Sequence, residues 1–322
     1  MKKNLSVIIP YYNRFELFQY TYQSLINQTH FNFEVIIVDD GSAEFDLKKT
    51  RYLIKDDARF KLIQHGKENM GPSYCRNFGA SMANGEHLIF LDSDDLLTEN
   101  CFENRINHIN KKIQLDFIVF PQHTFYNNIG DSDILFSKYF TETIDYLKSF
   151  IRDEPPWQTT GVIWKKSSFN KIGGFDESLR VMEDPEIHVR AILNGLKFEV
   201  EKGVHDFYYR LPRSVSESFY TNSILGRVSF FMKIYDRIQN SEYHNKNLNP
   251  DLRMGLLSLF KGFLLYRVNK HKKDYNTILD WSRGKNILSR FDYLIISLIA
   301  RKKNGNRLFK VLPANFLIRF LN

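Results

Sequence analysis

The sequence predicts an α/β protein: a mostly parallel sheet flanked by helices, followed by a C-terminal helical appendage. Three observations carry that prediction. Short apolar runs alternate with stretches of helical spacing through roughly the first 220 residues, the pattern of a parallel sheet covered by helices. The runs lack polar alternation, as strands buried on both faces do. Beyond Ser223 only helical spacing remains.

The predicted strands are Leu5 to Pro10, Phe33 to Asp39, Phe60 to Gln64 and His87 to Leu91. Between the first two, Phe15, Phe18, Tyr22, Leu25 and Ile26 recur at intervals of three and four. They give a helix from Arg14 to about Asn27 one apolar stripe that packs on the sheet. The helical C-terminal third repeats the spacing at Leu225, Val228, Phe231 and Met232, at Leu256, Leu257, Phe260, Phe263 and Leu264, and from Ile287 to Leu298. With 322 residues, the expected organisation is an α/β domain over 1–219 and a basic helical region over 220–322.

Charge divides at the same place. Residues 220–322 hold 19 Lys/Arg against 6 Asp/Glu, whereas residues 1–219 hold 26 against 31. The acidic part directs attention to carboxylate chemistry, the basic part to an anionic partner. With 43% apolar and 25% charged residues, disordered and collagen-like classes are excluded. The longest apolar run, Tyr293 to Ala300, is too short to cross a bilayer. Pro10, Tyr11, Tyr12 and Asn13 break the apolar stretch after the N-terminal lysines, so no export signal is expected. Two distant cysteines, Cys75 and Cys101, suit buried thiols in a reducing cytoplasm.

In open parallel sheets ligands sit beyond the carboxyl ends of the strands. Strand one ends in Pro10-Tyr11-Tyr12-Asn13-Arg14, strand two in Asp39-Asp40-Gly41-Ser42, and the fourth in Asp92-Ser93-Asp94-Asp95. Neither a Gly-x-Gly-x-x-Gly nor a P-loop follows the first strand, which excludes the two familiar glycine-rich phosphate cradles. Five carboxylates at two strand ends call for something cationic among them. In an extended segment Asp92 and Asp94 face the same way, and paired carboxylates suit Mg2+ or Mn2+. Taken alone, Asp-x-Asp suits a solvated turn equally well.

Four ordered stretches now resemble a known family. They are Ser6-Val7-Ile8-Ile9-Pro10-Tyr11-Tyr12-Asn13-Arg14; Val38-Asp39-Asp40-Gly41-Ser42; Asn69-x-Gly71-Pro72-Ser73-x-x-Arg76-Asn77-x-Gly79; and Gly85-Glu86 through Phe90-Leu91-Asp92-Ser93-Asp94-Asp95. Together with Gly173-Gly174-Phe175-Asp176-Glu177 and Glu183-Asp184, they are similar to the family 2 glycosyltransferases of the GT-A fold, a Rossmann-like sheet. The resemblance covers roughly residues 4–216. It implies a nucleotide-sugar donor, UDP-linked, an inverting hexosyl transfer and a divalent ion, Mn2+ or Mg2+. By the same resemblance Pro10 and Tyr12 line the base, Asp39 accepts from a uracil-type ring, Arg76 contacts base or phosphate, Asp92 approaches the ribose, and Asp94 holds the metal.

The resemblance also makes Asp184 the general base. Inversion needs a base on one face of the sugar and charge stabilisation on the other, where the nucleoside diphosphate leaves. Without the upstream motifs, Glu183 and Asp184 read as the acidic first turn of a helix. The family often has a His after a downstream Tyr-Arg pair; here Tyr209-Arg210 leads into Leu211-Pro212-Arg213. That leaves Arg210 and Arg213 to hold phosphate, with His205 either a substitute or a packed residue. Trp157 reads evenly as an acceptor contact or a buried residue.

The expected partners are the donor and a glycan or lipid-linked acceptor in cell-surface polysaccharide synthesis. Nucleic acid is not expected, since none of its familiar binding modules appears. Basic clusters at Lys270-His271-Lys272-Lys273 and Arg301-Lys302-Lys303, with the amphipathic stretch Leu308 to Leu321, suit peripheral contact with an anionic membrane at its cytoplasmic face. They suit solvated faces of a small bundle as well. The alternatives to transfer are a sugar-phosphate nucleotidyltransferase, a phosphoacceptor module and a nonenzymatic sugar-binding protein.

Overall fold

The computed structural model describes residues 4–67, 69–203, 205–211, 217–265 and 270–303. The chain divides into two compact units: Met1–Tyr139 with Pro156–Ser214, and Phe140–Pro155 with Val215–Asn322.

The first unit opens with β1 (Leu5–Tyr11), α1 (Phe15–Ile26), β2 (Phe33–Asp39), α2 (Glu44–Ile54), β3 (Phe60–Gln64), α3 (Pro72–Met82) and β4 (His87–Phe90). It continues with β5 (Leu96–Leu97), α4 (Cys101–Lys111), β6 (Phe117–Val119) and β7 (Gln122–Phe125). β1 pairs in parallel with β2 on one side and β4 on the other, and both β1 and β2 are apolar without alternation and almost wholly buried. That is the expectation for strands covered on both faces. α1 presents Phe18, Thr21 and Leu25 to the core. α3 lies so close to the sheet that a Cβ at Gly79 would stand 2.5 Å from Ile8 Cγ2, so glycine is required there.

Beyond residue 156 this unit adds β8 (Val162–Lys165), α6 (Lys166–Lys171), α7 (Glu183–Leu193), β9 (Phe198–Val200) and β10 (Phe207–Arg210). The seven-stranded sheet runs β3-β2-β1-β4-β8-β6-β9. Only β8 is antiparallel to its neighbours, so the sheet is mostly parallel, as predicted. A second sheet, β5-β10-β7, forms from three short strands. The acidic ends of β2 and β4 flank β1.

The second unit joins α5 (Thr143–Ile151) to α8 (Glu217–Gln239), α9 (Asn249–Leu259), α10 (Lys272–Gly284) and α11 (Arg290–Lys303). Arg152 to Asp251, Arg227 to Asp153 and Arg253 to Asp292 are ion pairs within it. α5 and α9 touch closely, since a Cβ at Gly255 would stand 2.2 Å from the Ile151 carbonyl. No helix among the described residues is long and apolar enough to cross a membrane. Arg213 and the Leu308 to Leu321 segment lie outside the described residues.

Candidate active site

The strand ends are tied to one another before any ligand arrives. At the end of β1, Tyr11 turns inward and its hydroxyl bonds Asp46 and Thr50 of α2, which leaves Tyr12 exposed next to it. The Asn13 amide donates to Ser42 Oγ at 2.8 Å, and Asn13 Oδ1 accepts from the Ala43 amide at 2.8 Å. These bonds hold the β1 loop against the β2 loop. Asp39, buried at the tip of β2, accepts from the Ser42 amide at 3.0 Å. Pro10 is partly exposed in β1, opposite Val38.

Asp40 has a different task. Its two oxygens accept from the Met70 and Gly71 amides at 2.7 and 2.9 Å, so it clamps the loop that leads into α3. His65 and Cys75 lie behind it, and this trio is the single three-residue group among the described residues with ligand atoms within 4.8 Å of one another. Burial, with Asp40 as the next cause, pushes the Cys75 thiol up to about 12, so it stays protonated at neutral pH.

Arg76, on α3, is the hub. Its guanidinium donates to Asp92 Oδ1 at 2.7 Å and to Glu183 Oε1 at 3.0 Å, joining three distant segments. Burial opposes its charge, but Asp92, Glu183 and Asp184 outweigh that and raise its pKa. Arg76 was expected to contact base or phosphate; in this structure both terminal nitrogens are committed to protein carboxylates.

The acidic loop after β4 is a turn, with the Asp95 amide donating to the Asp92 carbonyl at 3.2 Å. The expectation that Asp92 and Asp94 lie in extended backbone is therefore corrected. Asp92 faces Arg76, while Asp94 lies 3.4 Å from Arg14 Nη1. Asp95 is fully buried and accepts from Gln158, Thr160 and the Arg210 amide at 3.1, 3.0 and 3.0 Å. Arg210, from β10, also donates to the Asp94 carbonyl at 3.1 Å. Burial and then the charge of Asp92 push the Asp94 carboxyl above the usual range, and the same causes act more strongly on Asp95.

α7 begins after Met182, whose φ of 72° marks a left-handed turn. Glu183 and Asp184 are the first two residues of the helix, where the macrodipole favours negative charge. Asp184 Oδ2 accepts from the Thr159 amide at 3.0 Å, and its carboxyl is pushed up to about 7, chiefly by burial. Burial also raises Glu183, against the pull of Arg76.

One residue that sequence reasoning passed over reports on the whole group. The Tyr209 hydroxyl is raised first by burial and then by the charges of Asp95, Asp92, Asp184 and Asp94. The bonds from Gln158 and Thr160 to Asp95, from the Thr159 amide to Asp184 and from Arg76 to Asp92 and Glu183 bring these acids to one locality. Position in Tyr209-Arg210 was the tyrosine's only signal.

Two readings that the sequence left open narrow to packing. Trp157 is buried, with its ring edge-on to His188 and tilted on Phe198, so it cannot stack on an acceptor sugar in this structure. His205 bonds His123 at 2.7 Å, which makes it a packed partner of another imidazole.

Acidic side chains at the strand ends of a mostly parallel sheet, bridged by a buried arginine, define the site, and known proteins similar to the chain give its class. The family model described as "Glycosyl transferase family 2" matches residues 6–161. An uncharacterized glycosyltransferase of Rickettsia typhi is 30% identical over 224 residues, covering 64% of this chain and 67% of its own. The chain therefore belongs to glycosyl transferase family 2. Asp184 lies beyond the matched span. The minor teichoic acid biosynthesis protein GgaB of Bacillus subtilis is 27% identical over 254 residues, covering 74% of this chain and 27% of that one. The chain spans only 17–20% of the length of three rickettsial relatives that it also matches. Among solved structures, residues 1–349 of S. aureus TarS in complex with UDP-GlcNAc align with a TM-score of 0.68 at 21% identity, over 94% of this chain and 89% of that one. That likeness concerns the fold, which is GT-A.

Proposed function

We propose that this chain is an inverting, metal-dependent hexosyltransferase that moves a sugar from a UDP-linked donor to a hydroxyl of a glycan or lipid-linked acceptor. The observation that carries the reading is that Arg76 joins Asp92 to Glu183, the neighbour of Asp184, while the 158–160 segment bonds both Asp95 and Asp184. In the proposed reaction Asp184 takes the proton of the acceptor hydroxyl as its oxygen bonds the anomeric carbon. The bond from that carbon to the diphosphate oxygen breaks, and the nucleoside diphosphate leaves with the electron pair. A base whose carboxyl is held near 7 is half ionised at neutral pH, which suits proton transfer there.

Pro10 and Tyr12 would line the base, Asp39 would accept from its ring N–H, and Asp92 would approach the ribose. Arg76 would act mainly by holding Asp92 and Glu183. Arg210 would meet the diphosphate from the Asp94 side. The Asp94 carboxyl, raised by burial and by the charge of Asp92 despite Arg14 and Arg210, offers oxygen ligands that fit a hard divalent cation. Mn2+ or Mg2+ held by Asp94, with Asp92 beside it, would supply charge neutralisation for the leaving diphosphate.

The relative named for teichoic acid biosynthesis supports a role in cell-surface polysaccharide synthesis, at the cytoplasmic membrane face. Exposed Lys272 and Lys273 support peripheral contact with anionic lipid there. Asp184→Asn tests the reading. UDP binding, followed by thermal shift with Mn2+, should be retained, and UDP release from a panel of UDP-hexoses should be lost; unchanged release would sink the base assignment.

A further inference from the structure

We propose that Asp40, His65 and Cys75 form a second metal site, which takes a borderline-soft divalent ion of the Zn2+ type and stands apart from the hard-cation ligand Asp94. The ligand atoms come from three parts of the fold: Asp40 follows β2, His65 follows β3, and Cys75 lies in α3. His65 Nε2 stands 3.6 Å from Asp40 Oδ1 and 3.9 Å from Cys75 Sγ. All three ligand atoms lie within 4.8 Å of one another. With Zn2+ bonds of about 2.3 Å to sulfur and about 2.1 Å to nitrogen or oxygen, a tetrahedral site has edges of about 3.6 Å from S to N and about 3.4 Å from N to O. Each of the two measured edges exceeds its ideal by a few tenths of an ångström, so small side-chain adjustments close the group round an ion.

His65 is the residue that asks for one. Its side chain is fully buried, with the ring edge-on to Tyr74 at 4.8 Å and to Phe78 at 5.8 Å. Nδ1 has no hydrogen-bond partner. Nε2 is left with the weak, long approach to the Cys75 thiol, because the Asp40 oxygen is beyond hydrogen-bond reach. A buried imidazole so poorly satisfied costs free energy, and a metal ion on Nε2 removes that cost.

The other two ligands can serve. Asp40 uses one acceptor position of each oxygen on the Met70 and Gly71 amides. A carboxylate offers about four such positions, so Oδ1 can still take an ion. Its side chain is 13% exposed whereas that of His65 is sealed, which makes Asp40 the way in. Cys75 binds by giving up its proton: the S–H electron pair goes to the metal and the proton to solvent. A thiolate, an imidazole and one carboxylate favour Zn2+ over Mg2+ or Mn2+, and water takes the fourth position. The ion would clip the ends of β2 and β3 to α3, beside Asp39 and Arg76.

The test uses chelator-stripped, tag-free protein in excess Mg2+, loaded with Zn2+ or with Co2+ as its spectroscopic stand-in. The parent is compared with Cys75→Ala, Cys101→Ala and Asp94→Ala. The parent should keep about one Zn2+ per chain after desalting, and its Co2+ form should show an intense near-ultraviolet thiolate band with tetrahedral visible absorption. Zn2+ at about a hundredfold above its Kd should raise the melting temperature by about 3–5 °C. Cys75→Ala should lose both the band and the shift, while Cys101→Ala and Asp94→Ala keep them. A parent without the thiolate band overturns the proposal, whether or not any variant folds. So does a band that survives Cys75→Ala, which puts the ion on Cys101, and so does uptake abolished by Asp94→Ala alone, which puts it in the acidic loop. None of these failures touches the transferase reading, because Asp94 and Asp184 take no part in this site.

Discussion

Two buried arginines in the first unit handle charge in opposite ways. Arg105 of α4 meets one carboxylate, Asp206, through two parallel bonds of 2.8 and 2.7 Å, and gives a third to the Thr160 carbonyl. Both side chains are wholly buried. Arg76 is shared between Asp92 and Glu183, with Asp184 close enough to act on it. The first arrangement is closed and leaves nothing for a ligand. The second leaves carboxylates with raised proton affinity, which is costly to the fold and useful to chemistry. Buried charge alone therefore does not mark a site; incomplete neutralisation does.

Breaking the closed pair should have the largest effect on stability. Asp206→Ala strands the Arg105 guanidinium among Phe120 and Phe207, at a cost of about 3–5 kcal/mol in denaturant unfolding. The change should also loosen β10, which brings Arg210 to the acidic loop.

The open cluster should respond in the reverse direction. The folded carboxyl of Asp184 sits near 7 against an ordinary 3.8, so the native state holds a proton that the unfolded chain releases across that window. Stability associated with this group is present at low pH and falls as pH rises from about 4 to 7. Asp184→Asn should thus stabilise the protein by about 1–3 kcal/mol at pH 8 and by little at pH 4, while abolishing transfer. Equal gains at both pH values would contradict this. Asp94→Ala should likewise raise the melting temperature slightly in chelator, because the raised carboxyl goes with it, and should remove any gain from Mn2+ with UDP. The smallest effect belongs to exposed pairs: Arg51→Ala breaks its bonds to Glu44 and Gln64 and should change unfolding by under about 0.5 kcal/mol.

Much of the first half was legible because local pattern and tertiary need coincide there. Val35 to Val38 read as a buried strand and is one, and the strand-end acids lie at the loops where a parallel sheet puts its ligands. What escaped reading depends on partners remote in sequence. β8 is antiparallel between β4 and β6, although Val162 to Lys165 looks like any short apolar strand. Residues 140–155 belong with the helices beyond 215, a contact no periodicity encodes. Arg105 and Asp206 are 101 residues apart, and each alone looks like surface charge. Trp157 reads as a sugar platform or as core with equal ease, and only packing against His188 decides. His188 itself shows in sequence merely as a polar residue among the apolar positions of α7.

The central claim is that acids from separate segments serve one donor. A crystal structure with UDP and Mn2+ tests it most directly. The account predicts the uracil ring at Asp39, the cation at Asp94, and Asp184 opening into the same cleft as the β-phosphate. UDP seated elsewhere, for instance in the groove of about 550 Å³ lined by Asn84, Glu86, Lys166 and Asn170, with Asp94 bare and Asp184 on another surface, would contradict it.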